Sequence, residues 1–384
     1  MLDRSRYRAL GLEAAYDAVL AGERLTPEQG LALLDCPDIL AVGALAHCRR
    51  RALHGDAAYY VVNQHLNYTN VCVNGCLFCA YRREEGQSGG YTMSVDDALA
   101  TIEARLASGQ PEPTEVHVVG GCHPRLPLAY YEELLAAIRA RLPKARLKCF
   151  TAVEIAHFAA LEGVSEAEVL TRLQAVGLEM LPGGGAEIFA PAVRQQICPK
   201  KIDADHWLSV HRLAHGLGIR TNCTMLFGHL ESHADRIDHL ARLRELQDET
   251  GGFTCFIPLP FLTQNNPLQV PRPLDGLEEL RTIAVSRLML DNVPHIKAYW
   301  VMLSVKQAQL ALRFGADDLD GTVVEEKIGH EAGADSRQVL TRRELEAMIR
   351  GCGLEPVERD ALFHPLHPMG QGEDRTGSPK EVRA

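Results

Sequence analysis

Apolar positions in this chain recur on two periods, and the periods alternate. Over Ser94–Ser108, Val95, Ala98, Leu99, Ile102 and Leu106 fall on one helical face, Ser94 and Asp97 form a capping box, and Gly109 ends the run. Beyond Pro113, Val116–Val119 reads as a strand ending in Gly120-Gly121. The couple then repeats. Helices are predicted over Leu128–Leu142, stopped by Pro143, over Ser165–Val176, boxed by Ser165 and Glu168 and stopped by Gly177, and over Asp203–Leu217, Ser232–Glu249 and Asp275–Leu290. Strands are predicted over Arg146–Thr151, Leu178–Leu181, Arg220–Phe227, Phe253–Leu259 and His295–Met302, with an earlier one over Tyr59–Leu66.

Strands alternating with helices of this length form parallel βαβ units. So many units close, or nearly close, into a TIM-type (β/α) barrel, an α/β fold whose chemistry lies at the C-terminal ends of its strands. Residues 1–54 read as a helical extension packed outside the barrel, with helices over Tyr7–Ala21, Thr26–Asp35 and Ile39–His54. The barrel is expected over 55–354, followed by a tail, 355–384, rich in Pro, Gly and charge from His364 onward; its last dozen residues are expected to be mobile.

Composition narrows the class. A chain of 384 residues, 46% hydrophobic, can bury one large core plus a small appendage. Its net charge of −10 argues against a nucleic-acid surface, and no apolar run reaches the length of a membrane span. The first residues, Met1–Arg6, lack the apolar stretch of a signal peptide. Eleven cysteines, an odd number, fit a reducing cytoplasm with unpaired thiols.

Three of those cysteines stand apart. Cys72, Cys76 and Cys79 are spaced C-x3-C-x2-C directly after the first strand, where a barrel places its active site. Three thiolates on one loop can hold three irons of a [4Fe–4S] cube and leave the fourth open to a small molecule. A zinc site would use four ligands and paired knuckles, and no second knuckle follows. Other chemistry-bearing positions lie at strand ends. Period-2 logic puts Asn63, His65 and Asn67 on one face of the first strand, His117 inside on the second, and Asn222 with Thr224 in the lumen. Glu154 is read as ending the third strand, and Glu187 closes Leu181-Pro182-Gly183-Gly184-Gly185-Ala186-Glu187, a loop that passes close to a ligand. The late acidic run Asp317–Glu326 reads equally as a solvated loop or as part of the pocket's closure.

The cysteine spacing, with Phe78 just before Cys79, is the signature of the radical S-adenosylmethionine (SAM) enzymes, and this chain resembles them. Asn67–Cys72, Val119–Pro124, Phe150–Glu154, Leu181–Phe189, Met225–Glu231 and Gly315–Glu326 resemble the branch of menaquinone (futalosine pathway) and deazaflavin enzymes. Within it, Leu181–Phe189 and Arg244–Phe253 are most similar to the aminofutalosine synthases; the resemblance spans roughly Leu53 to Leu354. It implies a [4Fe–4S] cluster on Cys72, Cys76 and Cys79, and SAM as a consumed co-substrate. It further implies SAM contacts at Phe78 on the adenine, Tyr81, Gly120, Gly121, Glu154, Glu187 and Asn222. Relatives carry Gly-Gly-Glu where this chain has Gly120-Gly121-Cys122, so only the backbone part of that role carries over. The implied reaction adds a 5′-deoxyadenosyl radical to the vinyl carbon of 3-[(1-carboxyvinyl)oxy]benzoate. Aryl migration and loss of the former enolpyruvyl carboxylate then give 6-amino-6-deoxyfutalosine, with a low-potential electron donor required. The two substrate carboxylates need donors, and Asn63, His65, His117, His123 and Arg125 are the candidates, with Arg82 and Arg272 behind them. Three alternatives stand beside this one: the cyclic dehypoxanthine futalosine synthase of the same pathway, a non-catalytic iron–sulfur sensor or electron carrier, and a zinc-binding structural module.

Overall fold

The computed structural model describes residues 3–367. Its strands are β1 (Ala57–Val61), β2 (Asn63–Leu66), β3 (Glu115–Val118), β4 (Arg146–Cys149), β5 (Met180–Leu181), β6 (Arg220–Phe227), β7 (Phe253–Pro260), β8 (His295–Ile296), β9 (Asp318–Gly321) and β10 (Glu355–Glu358). Seven of them, β2 to β8, form one parallel sheet in sequence order, with helices on the outside, and a second parallel sheet runs β10-β1-β9. The curled seven-stranded sheet is a partial TIM-type barrel. Its gap between β8 and β2 is spanned by residues 317–324. Asp317 N donates to Ile296 O at 3.0 Å and Ala298 N to Asp318 O at 2.7 Å on one side, and His65 N donates to Val324 O at 2.9 Å on the other.

Many of the helices begin on a side-chain cap. Val95–Ala107 starts on the Ser94–Asp97 box and His233–Thr250 on a Ser232–Asp235 box. Each such cap satisfies orphan N–H groups and contributes about 1 kcal/mol. In the N-terminal extension, Pro27–Asp35 packs on His233–Thr250 and Ile39–His54 on Gly276–Met289, so the extension clads the barrel's helical shell.

Five expectations are corrected. The single strand expected over Tyr59–Leu66 is two strands in two sheets: Val61 O turns to Thr322 N at 3.1 Å, while the next carbonyl, Val62 O, turns to Thr114 N at 2.8 Å. The helix expected over Tyr7–Ala21 is broken at Gly11, whose φ of +72° is left-handed, into Arg4–Ala9 and Glu13–Ala21. The strand expected to reach Met302 stops at Ile296; Trp300–Leu303 is helical, and the buried Trp300 indole donates to Gly321 O at 2.9 Å. The third strand stops at Cys149, and Glu154 lies in the first turn of a helix, Ala152–Glu162, paired with Thr151 in a capping box. The chain beyond 354 is not a tail at its start. Glu355–Glu358 pairs with β1 in register Ala57↔Glu355, and the buried Arg359 binds Asp318 at 2.5 Å, so regular structure continues through it in the second sheet. The last dozen residues fall outside the described part.

Candidate active site

The cysteine loop leaves β2 and is tied down from several sides. Cys72 N donates to Arg83 O at 3.1 Å, Val73 N to Cys122 O at 3.1 Å, and Leu77 N to Ile197 O at 2.9 Å. Asn70 staples the loop's return: its Nδ2 donates to Gly89 O at 2.9 Å and its Oδ1 accepts from Tyr91 N at 2.8 Å. Cys72, Cys76 and Cys79 consequently line one cavity of about 330 Å³ at the C-terminal mouth of the barrel, with Phe78 and Tyr81 beside them. None of the chain's cysteines is in a disulfide. A hydrogen bond with Cys122 draws the Cys72 thiol down to about 5, whereas burial pushes Cys76 up to about 12 and Cys79 upward. Three soft donors from one loop, facing a roomy cavity, match the donor set of a three-cysteine iron–sulfur cube with one open iron.

The adjoining wall is the turn after β3. Gly121 N donates to Thr69 O at 2.9 Å, and a Cβ on Gly121 would lie 2.8 Å from the Val71 carbonyl carbon. Only glycine allows this approach. Glu154 holds the same turn. Its Oε1 accepts from Tyr68 Oη at 2.7 Å and Gly120 N at 3.0 Å, and its Oε2 from Thr151 N at 2.7 Å and Thr151 Oγ1 at 2.8 Å. All four acceptor sites of a carboxylate are thereby taken. Burial raises the Glu154 carboxyl to about 7 in spite of them. Glu154 borders the cavity, and its direct work is to fix Gly120.

The triple-glycine loop after β5 forms the next wall. Thr224 Oγ1 donates to Gly183 O at 2.7 Å, and a Cβ on Gly183 would meet the Cys223 backbone at 2.6 Å. The loop ends at Glu187, which has a left-handed φ of +49° and pairs with Lys201. Lys201 Nζ stands 5.2 Å from the Phe78 ring centroid. Asn222 reaches the cavity from β6 and donates to Thr254 Oγ1 at 2.9 Å.

Below lies a charged floor. His65, His117 and Lys148 occupy one register layer of β2, β3 and β4, and the two imidazoles stack at 4.6 Å and 9°. Burial lowers the pKa of both. Lys148 Nζ is 2.5 Å from Glu115 and Lys297 Nζ 2.5 Å from Asp320, all buried. Asp320 and Glu326 of the acidic run line the cavity, while Asp317 at its start does not.

Of the donors expected for substrate, His65, His117 and Arg82 line the cavity. Asn63 does not: it lies one layer deeper, where its Oδ1 accepts from Val323 N at 2.8 Å. His123 is spent on its own loop, its Nδ1 accepting from Arg125 N at 3.1 Å and Leu126 N at 3.2 Å. Arg125 is 74% exposed and pairs with Glu85, and Arg272 is exposed. Sequence reading missed Tyr68, Lys148, Lys201 and Lys297. Lys148 and Lys297 had a signal, a charge at an inward period-2 position of an expected strand; Lys201, in the turn after Pro191–Ile197, had none.

His54, His295 and Asp317 also converge, with His295 Nδ1 2.6 Å from Asp317 Oδ2. They sit where strands begin, at the other end of the barrel. Arg287 binds the same carboxylate, which neutralises it and makes the group a structural knot.

Residues 66–243 match the radical SAM superfamily, and residues 250–369 match the CofH/MqnC C-terminal region. An aminodeoxyfutalosine synthase of Streptomyces coelicolor is 45% identical over 95% of this chain and 97% of its own length. The chain belongs to the radical SAM superfamily. Another aminodeoxyfutalosine synthase, from Thermus thermophilus, is 45% identical over 91% of this radical SAM enzyme and 94% of its own length. A 5-amino-6-(D-ribitylamino)uracil–L-tyrosine 4-hydroxyphenyl transferase from Methanopyrus kandleri is 41% identical over 84% of this chain and 88% of its own. Among solved structures, the FeFe-hydrogenase maturase HydG of Carboxydothermus hydrogenoformans superposes with a TM-score of 0.72 at 16% identity, covering 93% of this chain and 82% of that one. Methylornithine synthase (PylB) gives 0.68 at 18%, covering 89% and 97%. These two share the fold.

Proposed function

We propose that this radical SAM enzyme is an aminofutalosine synthase, a transferase of menaquinone biosynthesis that joins the adenosyl group of SAM to 3-[(1-carboxyvinyl)oxy]benzoate and gives 6-amino-6-deoxyfutalosine. The observation that carries this reading is the 45% identity to aminodeoxyfutalosine synthases across nearly the whole chain. Cys72, Cys76 and Cys79 would hold the [4Fe–4S] cluster, which when bound and reduced supplies the electron that cleaves SAM to methionine and the adenosyl radical.

The chain's own residues then have to orient and exclude. Phe78 and Tyr81 flank the cysteines and offer aromatic faces to an adenine. Gly120 and Gly121 present backbone at close range, with Gly120 held by Glu154. Glu187 and Asn222 offer polar contacts to the ribose or the methionine end. His65, His117 and Arg82 are the carboxylate donors left once Asn63, His123 and Arg125 are set aside, and the buried lysines supply charge beneath them. Walls that include Asp320 and Glu326 limit water, as a radical addition requires. Among the described residues no helix is long and apolar enough to cross a membrane. A cytoplasmic enzyme served by a low-potential electron carrier is the matching setting.

The test is anaerobic reconstitution, reduction and addition of SAM with 3-[(1-carboxyvinyl)oxy]benzoate, read by mass spectrometry. An adenosylated, decarboxylated product establishes the synthase. Free 5′-deoxyadenosine without adduct refutes it. Turnover of dehypoxanthine futalosine, or of 5-amino-6-(D-ribitylamino)uracil with L-tyrosine, would then identify the actual branch.

A further inference from the structure

We propose that the Lys201–Glu187 pair sets the reducibility of the three-cysteine site, the Lys201 ammonium favouring the reduced form and Glu187 tempering it. The inference rests on Cys72, Cys76 and Cys79 holding the family's cluster, and it does not depend on which substrate is used. With three thiolates, a [4Fe–4S] cube goes from a formal charge of −1 to −2 on taking one electron from a low-potential donor, with no proton or bond change. A fixed cation nearby stabilises the second state more than the first. Buried charges act at low dielectric and are little screened by salt.

Lys201 is placed for this. It lines the cavity with all three cysteines, and its Nζ stands 5.2 Å from the ring of Phe78, the residue immediately before Cys79. Its side chain is 12% exposed and that of Glu187 10%. Its position is tied to the cysteine loop through backbone: Leu77 N donates to Ile197 O at 2.9 Å, and Lys201 N to Cys198 O at 3.1 Å. Glu187 pairs with Lys201 and lines the same cavity, so its negative charge opposes the effect of the ammonium.

The readout is the cluster's midpoint potential, from an EPR-monitored redox titration without SAM, on reconstituted full-length protein of verified iron content. Lys201→Met is expected to leave the cluster three- to tenfold less reduced at the poise where the parent is half reduced, tenfold being about 59 mV for a one-electron couple. Glu187→Gln is expected to shift the midpoint the opposite way, and Lys201→Arg to keep it close to the parent. A general disturbance of the loop would move both neutralising variants in the same direction. An unchanged midpoint in Lys201→Met, or shifts of one sign in Lys201→Met and Glu187→Gln, overturns the proposal. If Lys201→Met fails to load iron, Glu187→Gln decides alone: a midpoint that is unmoved or more negative overturns it.

Discussion

Replacing Gly121 by alanine tests how the barrel's second turn controls the cysteine loop. The added Cβ would lie 2.8 Å from the Val71 carbonyl carbon and 3.0 Å from the Cys72 Cβ, and closer still to the Val71 carbonyl oxygen. Ordinary contact begins at 3.4 Å, so at least 0.6 Å of movement is needed at the carbonyl carbon. None of it can be absorbed by a flexible side chain, because the first atoms met are backbone. The turn cannot retreat easily either, since Gly120 N is held by the buried Glu154 and Gly121 N by Thr69 O. The displacement therefore falls on Val71 and Cys72, the first cluster ligand. Overpacking of this kind costs about 1–3 kcal/mol of stability. A displacement approaching 1 Å at a reacting centre costs about a hundredfold in rate. Gly121→Ala is thus expected to fold, to bind less iron and sulfide per chain on reconstitution, and to form 5′-deoxyadenosine ten- to a hundredfold more slowly. Gly216→Ala, at the end of the helix Ala204–Gly216 with no atom near its added Cβ, is the control; it should match or slightly exceed the parent in stability. Full iron content and parental turnover in Gly121→Ala would show that the loop is not wedged against this turn.

Cys76→Ala should abolish cluster binding and SAM cleavage, while Cys198→Ala, outside the cavity that holds the three cysteines, should keep both; equal loss in the two would undo the ligand assignment. Lys148→Met leaves the fully buried Glu115 without its 2.5 Å partner and should cost about 3–5 kcal/mol in urea unfolding, partly restored by Glu115→Leu in the same chain. Little change in the single variant would mean that Arg359, 3.9 Å away, already satisfies Glu115. Acid should weaken the fold. Burial works against the charge of Asp320, but Lys297 and Lys148 outweigh it and hold the carboxyl well below the usual range; Glu278 is likewise drawn to about 2 by His233 and Arg236 against burial. Depressed carboxyl pKa values stabilise above the unfolded-state pKa near 4, and that stability drains as pH falls further, by about 2–3 kcal/mol for a fully buried carboxylate. Thermal unfolding at pH 7, 4.5 and 3 measures it, and a midpoint flat from 5 to 3 would contradict the ion-pair reading.

Local chemistry decided much of this protein in advance. Capping residues and apolar periodicity set the helices Val95–Ala107, Leu128–Arg141 and His233–Thr250 nearly to the residue, because a helix is built from bonds between near neighbours. The cysteine spacing fixed the candidate chemistry for the same reason: three ligands on one short loop need no distant partner to be brought together. What sequence could not decide is where long-range partners compete for the same backbone. Tyr59–Leu66 reads as one strand, yet it serves two sheets, because Thr322 and Thr114, beside β9 and β3, take successive carbonyls. Glu355–Glu358 reads as the start of a tail until β1, some three hundred residues earlier, offers it an edge. The donors followed suit. Period 2 placed Asn63, His65 and Asn67 on one face, but only depth along the barrel separates His65 in the cavity from Asn63 beneath it. Glu154 and Lys201 gain their roles from what faces them, the Gly120 amide and Phe78, and such contacts across the barrel leave no local trace in the chain.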